Sequence, residues 1–166
     1  MYRTSFQLIA LLLLFQFPSN AQEKKGLDGG GTLAMRDGKT QEFLKAETWL
    51  HYTPDLNEII DHSLPFSLPR KHPSEILRID FLTPTPEEQD LIKKSFVRCP
   101  ENSGWCDVRK ATMKLEDGTT MTVFLWNPNA DLLIDSDNRR HQFNDLNLKS
   151  IISTQEKRRE ASQKPD

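Results

Sequence analysis

The sequence has no excess of basic charge: 22 Lys and Arg stand against 24 Asp and Glu in 166 residues, a formal charge of −2. The first 21 residues hold one charge, Arg3, so the rest of the chain stands at −3. That balance excludes general electrostatic binding to nucleic acid, which needs a strongly basic face. Long apolar runs are also missing. A membrane-spanning helix needs about 20 such residues, and no stretch would remain as a span in a mature protein. Cysteine is limited to Cys99 and Cys106, and neither lies near the N-terminus, so no cleavage-site thiol is available for a lipid anchor. The four histidines, His51, His62, His72 and His141, contain no pair at i, i+4 of the kind a zinc hydrolase shows. There is no Gly-x-Ser-x-Gly elbow, and Ser103 reads as a turn residue. Apolar residues make up 36% of the chain. That is enough for one or two small cores and too rich for a disordered chain.

What is present begins with an export signal. Arg3 forms a positive n-region, Phe6 to Phe17 an apolar h-region bracketed by Gln7 and Gln16, and Pro18 breaks the helix. Ser19-Asn20-Ala21 then places small residues three and one before a cut, which predicts a mature protein starting at Gln22. This start resembles those of exported Gram-negative proteins, implying a periplasmic or secreted protein. Cys99 and Cys106 flank Pro-Glu-Asn-Ser-Gly-Trp, a turn-forming hexapeptide. In an oxidising compartment that spacing predicts a structural disulfide, whereas catalytic dithiols usually sit two residues apart.

The mature chain repeats itself. Thr32-Leu33-Ala34-Met35-Arg36-Asp37-Gly38-Lys39-Thr40 is echoed by Thr112-Met113-Lys114-Leu115-Glu116-Asp117-Gly118-Thr119-Thr120. Asp-Gly between alternating runs predicts a hairpin at each copy, in a type I′ turn with positive φ. After the second turn Met121, Val123 and Leu125 point one way, and Thr122, Phe124 and Trp126 the other. Leu132-Leu133-Ile134, His141 with Phe143, and Leu148 to Ile152 supply further strands, with a turn at Asp135 to Asn138. In the first copy, Phe43 to Leu50 extends the second strand, Pro54 opens a helix or Glu58 to Asp61 a strand, and Ile76 to Phe81 is the last strand. Between the copies Thr85-Pro86-Glu87-Glu88 forms a capping box for a helix near 86–97, with Lys93-Lys94 in its last turn.

The expected fold is therefore mainly β, α+β by count: small barrel or twisted-meander units, duplicated, with one bridging helix. Its divisions are a signal peptide 1–21, a flexible arm 22–31 containing Gly29-Gly30-Gly31, a first β unit 32–82, the helix region 83–98, a disulfide loop with the second β unit 99–154, and a solvated tail 155–166. Pairing of strands between the copies, giving one shared sheet, is the alternative. The order strand, Asp-Gly, strand, Asp-Asn turn, strand and closing Leu-x-x-Ile resembles SH3-like or Sm-like small barrels over about forty residues of the second copy. Sm-type RNA contacts do not carry over: Asp131 and Asn138 are not suitably placed, and no Arg-Gly pair exists.

Chemistry-bearing residues are sparse. Asp131, Asp135 and Asp137 are the densest carboxylates but lack the glycine and distal Glu of a calcium loop. No metal or cofactor is expected. Trp49, Trp105 and Trp126 are the candidate binding residues, with Trp105 the best exposed anchor because it lies inside the proposed disulfide loop. Arg139-Arg140-His141 reads as a guard on an edge strand. The expected function is a non-catalytic exported module that binds another protein or an envelope component. The alternatives are a small periplasmic hydrolase using His51, His62 or His141, and an inhibitor or immunity-type protein.

Overall fold

The computed structural model describes residues 24–61, 68–94, 97, 106–126, 131–143 and 145–163. The expected signal peptide with Ala21 and Gln22, together with His62, Cys99, Ser103 and Trp105, lies outside them. The protein is mainly β, as its alternating segments imply. Ten strands form one sheet: β1 Gly31–Met35, β2 Thr40–Ala46, β3 Leu50–Thr53, β4 Arg70–Lys71, β5 Ile76–Phe81, β6 Val108–Leu115, β7 Thr120–Trp126, β8 Asp131–Asp135, β9 Arg140–Gln142 and β10 Leu148–Ser153. Helices α1 Leu56–Asp61, α2 Pro86–Lys94 and α3 Thr154–Ser162 accompany it.

All pairings are antiparallel, in the order β4-β3-β7-β6-β5-β10-β1-β2-β8-β9. The sheet is open, with β4 and β9 at its edges, so the expected small barrels do not close. The physical reason is partner choice. β3 pairs with β7, β8 with β2, and β5 with both β6 and β10, so each half completes the sheet of the other. Alternation specifies which face a residue occupies, and it leaves open which strand lies alongside.

The pairing repeats with the sequence. Gly31↔Phe43 through Ala34↔Thr40 recurs eighty residues later as Ala111↔Val123 through Lys114↔Thr120. Leu33↔Ile151 and Ala34↔Ser150 recur as Met113↔Ile79 and Lys114↔Arg78, with a bulge at the same step before Met35 and Leu115. Arg36 N donates to Asn147 O, and Glu116 N donates to Glu75 O. Exchanging the halves reverses the strand order onto itself, about a local two-fold through the central pair Ile79↔Ile151.

Both Asp-Gly sites turn hairpins. Gly38 and Gly118 have φ of 87° and 90°, while the preceding aspartates have no positive φ. These are therefore three-residue turns ending in a left-handed glycine, and not type I′. Met35 N donates to Lys39 O and Leu115 N to Thr119 O at 2.8 Å in each, and Asp37 and Asp117 accept from the N–H two residues on. The β8–β9 turn has the same build with Asn138 at φ 60°.

One face of the sheet carries the main core, including Leu33, Phe43, Ile79, Met113, Leu125 and Ile151. Met121, Val123 and Leu125 lie on it, as the alternation predicts, while Phe124 and Trp126 join a second cluster with Val108, Cys106, Leu56 and Ile59 of α1, and Ile92 of α2. The predicted capping box of α2 is present: Thr85 N donates to Glu88 Oε2 at 2.7 Å, and Glu88 N to Thr85 Oγ1 at 3.3 Å.

Two segments expected to be loose are built in. Gly26–Gly29 form a 3-10 turn and Gly31 opens β1, with Gly30 and Gly31 buried. A Cβ on Gly31 would stand 2.0 Å from Ile152 O, so the glycines there permit close backbone approach and do not serve as a hinge. Likewise 154–162 is a docked helix. Ser153 caps it through Glu156 N, and Glu156, 1% exposed, pairs with Lys114. Lys157 reaches Thr32 Oγ1 at 2.7 Å, and Glu160 accepts from Arg78 at 2.8 Å. Its low apolar content suggested a solvated tail because the docking contacts are ionic and carry no hydrophobic period.

Candidate functional site

The segment 82–84 that follows β5, helix α2 and the start of β6 meet the β1–β2 hairpin and the 145–147 turn around a cleft of about 400 Å³. Its floor is apolar, made by Ile92, Cys106 and Val108. Leu82 and Leu146 stand at its rim, 36% and 42% exposed. Isolated exposed leucines are ordinary, but two beside a concave surface with convergent polar groups make it the candidate binding site by shape and chemistry.

Arg109 dominates its electrostatics. It falls in phase with Ala111, Met113 and Leu115 on the apolar face of β6, and only 6% of it is exposed. Nη1 donates to Phe143 O at 3.1 Å and to Asp145 O, Nη2 donates to Leu148 O at 3.0 Å, and the guanidinium lies 3.8 Å over the Phe81 ring. No carboxylate lies within ion-pair distance of it among the described residues. Burial, then the neighbouring charge of Arg36, pulls its pKa down to about 10 against the opposing charge of Asp145, so it stays cationic at neutral pH. Arg36 is itself held by a bond from Nε to Leu146 O at 3.0 Å. Lys93, in the last turn of α2, adds a third cation. Lys110 is neutralised by Glu88, at 2.7 and 2.9 Å from its two carboxylate oxygens. Burial works against the Glu88 carboxylate, yet Lys110 and the Thr85 N–H outweigh it and hold its pKa below the ordinary value. Among the described residues the cleft thus has an apolar floor, leucine edges and positive charge without a lining carboxylate. It suits an anionic group attached to an apolar one.

The candidate residues read from the sequence relate to this cleft unequally. Cys106 lines it, so Trp105 precedes a wall residue although Trp105 lies outside the described residues. Cys106 is buried and not free; Cys99 is outside the described residues. Trp126 packs in the cluster that contains the floor. Trp49 lines no part of the cleft. It is 42% exposed, with Arg70 4.6 Å over its ring and His72 edge-on at 4.9 Å. His51 is on β3, with a buried Nδ1 that has no hydrogen-bond partner, and His141 is on edge strand β9, with seven strands between them in the sheet order. Asp135, 1% exposed, accepts from Asp137 N, Arg139 N, Arg139 Nε and Gln41 Nε2, which makes it the organiser of its turn. Arg139 is in turn bound to Asp135 and Asp137. No group of three metal-ligating side chains occurs among the described residues.

Arg36, Lys93 and Arg109 were not singled out in the sequence. A signal for one of them was present, since an arginine in phase with Ala111, Met113 and Leu115 must bury its guanidinium or break the strand's pattern. No family model matches this sequence, and no curated protein or solved structure matches it either.

Proposed function

We propose that the protein is an exported, non-catalytic binding module whose α2–β6 cleft receives a segment of a partner macromolecule bearing both carboxylates and apolar side chains. One observation carries this reading: Arg109 is buried with no ion-paired carboxylate among the described residues, in a cleft that also holds Arg36 and Lys93, between two exposed leucines. A buried cation held by carbonyl groups and an aromatic face gains from an incoming anion more than an exposed one does, because less solvent screens the pair. Export is supported by the Arg3, apolar run and Ser19-x-Ala21 sequence, and a Cys99–Cys106 disulfide by the compartment this implies and by the buried, engaged Cys106. Such a bond would tie Trp105 beside the cleft wall as an aromatic anchor.

The test is capture of partners from the protein's own envelope by the mature chain, followed by isolation of the bound segment. The captured segment should be acidic and apolar, and its affinity should fall with salt. Lys93→Glu and Trp105→Ala should each weaken it at least tenfold, while Lys39→Gln on the distant hairpin should not. A partner held equally by all variants, or no partner at all, would reject the assignment.

A further inference from the structure

The local two-fold carries the α2–β6 seam onto a second place in the molecule, and a cavity of about 500 Å³ is found there. It lies between α3 and the turn before β1. Under the shifts that superimpose the strand registers, four of its nine lining residues match residues of the first cleft: Gly26 answers to Cys106, Gly29 to Arg109, Thr154 to Leu82 and Gln155 to Thr83. The backbone closes both seams in the same way, Leu82 N donating to Lys110 O and Thr154 N to Gly30 O, each at 2.9 Å.

The chemistry has diverged. Glycines replace Cys106 and Arg109, and polar residues replace Leu82 and Thr83. Four cations line this cavity, Lys24, Lys25, Arg158 and Arg159, of which Lys25 also lies 3.4 Å from Glu116, and among the described residues no carboxylate lines it. Arg158 and Arg159 share one face of α3 with Thr154 and Gln155 by helical spacing. The rotation of α3 that presents them is fixed from other positions, by Glu156 to Lys114, Lys157 to Thr32 and Glu160 to Arg78. On the opposite wall, Gly26 N donates to Gln155 Oε1 at 2.9 Å and anchors the turn to the helix. Leu44, 59% exposed, is the one large apolar side chain in the lining.

We propose that this second cavity binds a phosphoryl group, a compact oxyanion of more than one negative charge. Two guanidinium groups and two ammonium groups around a polar cavity are the side chains that recognise such a group, by forked hydrogen bonds and by point charge respectively. The same chemistry is offered by a free phosphate compound and by a phospholipid headgroup, and Leu44 is placed to touch the chain of the latter.

The experiment titrates the full mature chain with inorganic pyrophosphate in one arm and with phosphatidic acid vesicles in the other, following the amide resonances of Gly26, Gly29 and Gln155. Saturable shifts at these amides are expected in at least one arm, and the arm identifies the source. Arg159→Gln and Lys24→Gln should each raise Kd at least fivefold, Arg159→Lys less than Arg159→Gln, and Lys39→Gln less than twofold. Absence of saturation in both arms overturns the proposal. So does equal weakening by Lys39→Gln, which would report only general charge, or a response confined to Thr83 and Lys93, which would place the anion in the first cleft. Because Lys93 does not line the second cavity, failure here leaves the reading of the first cleft standing, and the reverse also holds.

Discussion

Replacing Arg109 by methionine removes a buried cation and three hydrogen bonds while keeping much of the side-chain volume. The three acceptors, Phe143 O, Asp145 O and Leu148 O, all belong to the bend that leads into β10. Leaving a buried acceptor unsatisfied costs about 1–3 kcal/mol. Asp145 O keeps its bond from Leu148 N at 3.2 Å, so Phe143 O and Leu148 O are the two that lose a partner, a cost of about 2–6 kcal/mol if neither finds water. Against this stands relief of the desolvation of the guanidinium, several kcal/mol for a buried ion, the same burial that lowers its pKa to about 10. The carbonyls lie beside an open cleft, so water recovers part of the loss as well. The expected net effect is a destabilisation of about 2 kcal/mol, or about 4–8 °C in Tm for a domain of this size. Urea denaturation and a thermal melt of Arg109→Met measure it, with Arg109→Lys as a companion. A single ammonium keeps the charge but not the planar fork, so the lysine variant should recover less than half of the loss. If Arg109→Met is as stable as the natural protein or more stable, the guanidinium does not hold the 143–148 bend. The account of its burial given above then fails.

Gly31→Ala should cost more than 3 kcal/mol because its Cβ would meet backbone at 2.0 Å, whereas Gly38→Ala, with open space at φ 87°, should cost about 1 kcal/mol; similar urea midpoints for the two would refute the close-approach argument. Stability should fall on acidification. Lys71 and the His72 N–H hold Glu75 below its ordinary pKa, and Glu88 is also held low, so both contribute fully above pH 4.5 and lose that contribution as pH falls through their lower folded values. A urea midpoint that stays flat from pH 6 to pH 3 would contradict it. In exported material, thiol labelling under denaturing, non-reducing conditions should find no free sulfhydryl, and reduction should lower stability by about 2–3 kcal/mol for so short a loop; two labelled thiols would exclude the Cys99–Cys106 bond.

The parts of this fold that were legible in the sequence are those decided by neighbours within about ten residues. Asp37-Gly38 and Asp117-Gly118 announced their hairpins because the left-handed position needs glycine, and Thr85 to Glu88 announced α2 because the cap is a local exchange of hydrogen bonds. The faces of β7 were also readable, since Met121, Val123 and Leu125 alternate with Thr122, Phe124 and Trp126. Strand partnership was not readable. Nothing local tells Thr53 that it will lie opposite Phe124. The cleft was hidden for the same reason, because Arg36, Leu82, Lys93, Arg109 and Leu146 are assembled from five separate stretches. Arg109 alone carried a clue, being a charge placed in an apolar phase. Helix α3 was misjudged in the opposite sense: Glu156 looks soluble in isolation, and it is buried because Lys114 waits on the sheet.

The interlocked halves explain how two sites of different chemistry can arise at equivalent places. Because β5 has both its neighbours in the second half, and β3 takes β7 from it, neither half completes its own sheet. Cutting the main core between halves would separate Ile79 from Ile151 and from Met113. Stability is thus a property of the whole sheet, and its pairings span long sequence separations, which favours slow, concerted folding. Two identical chains interlocked in this way would be bound to present two identical seams, since every substitution would appear twice. Joined in one chain, the seams are free to differ. One keeps Arg109 over Phe81 with leucines at the rim, and the other opens at Gly26 and Gly29 and draws its charge from Lys24, Lys25, Arg158 and Arg159. The strand registers tolerate this because the substituted positions lie at strand ends and in the segments leading into helices, while the central pairs around Ile79 and Ile151 remain equivalent. Divergence is therefore confined to the seams, where it changes the chemistry of the lining without changing how the sheet is held.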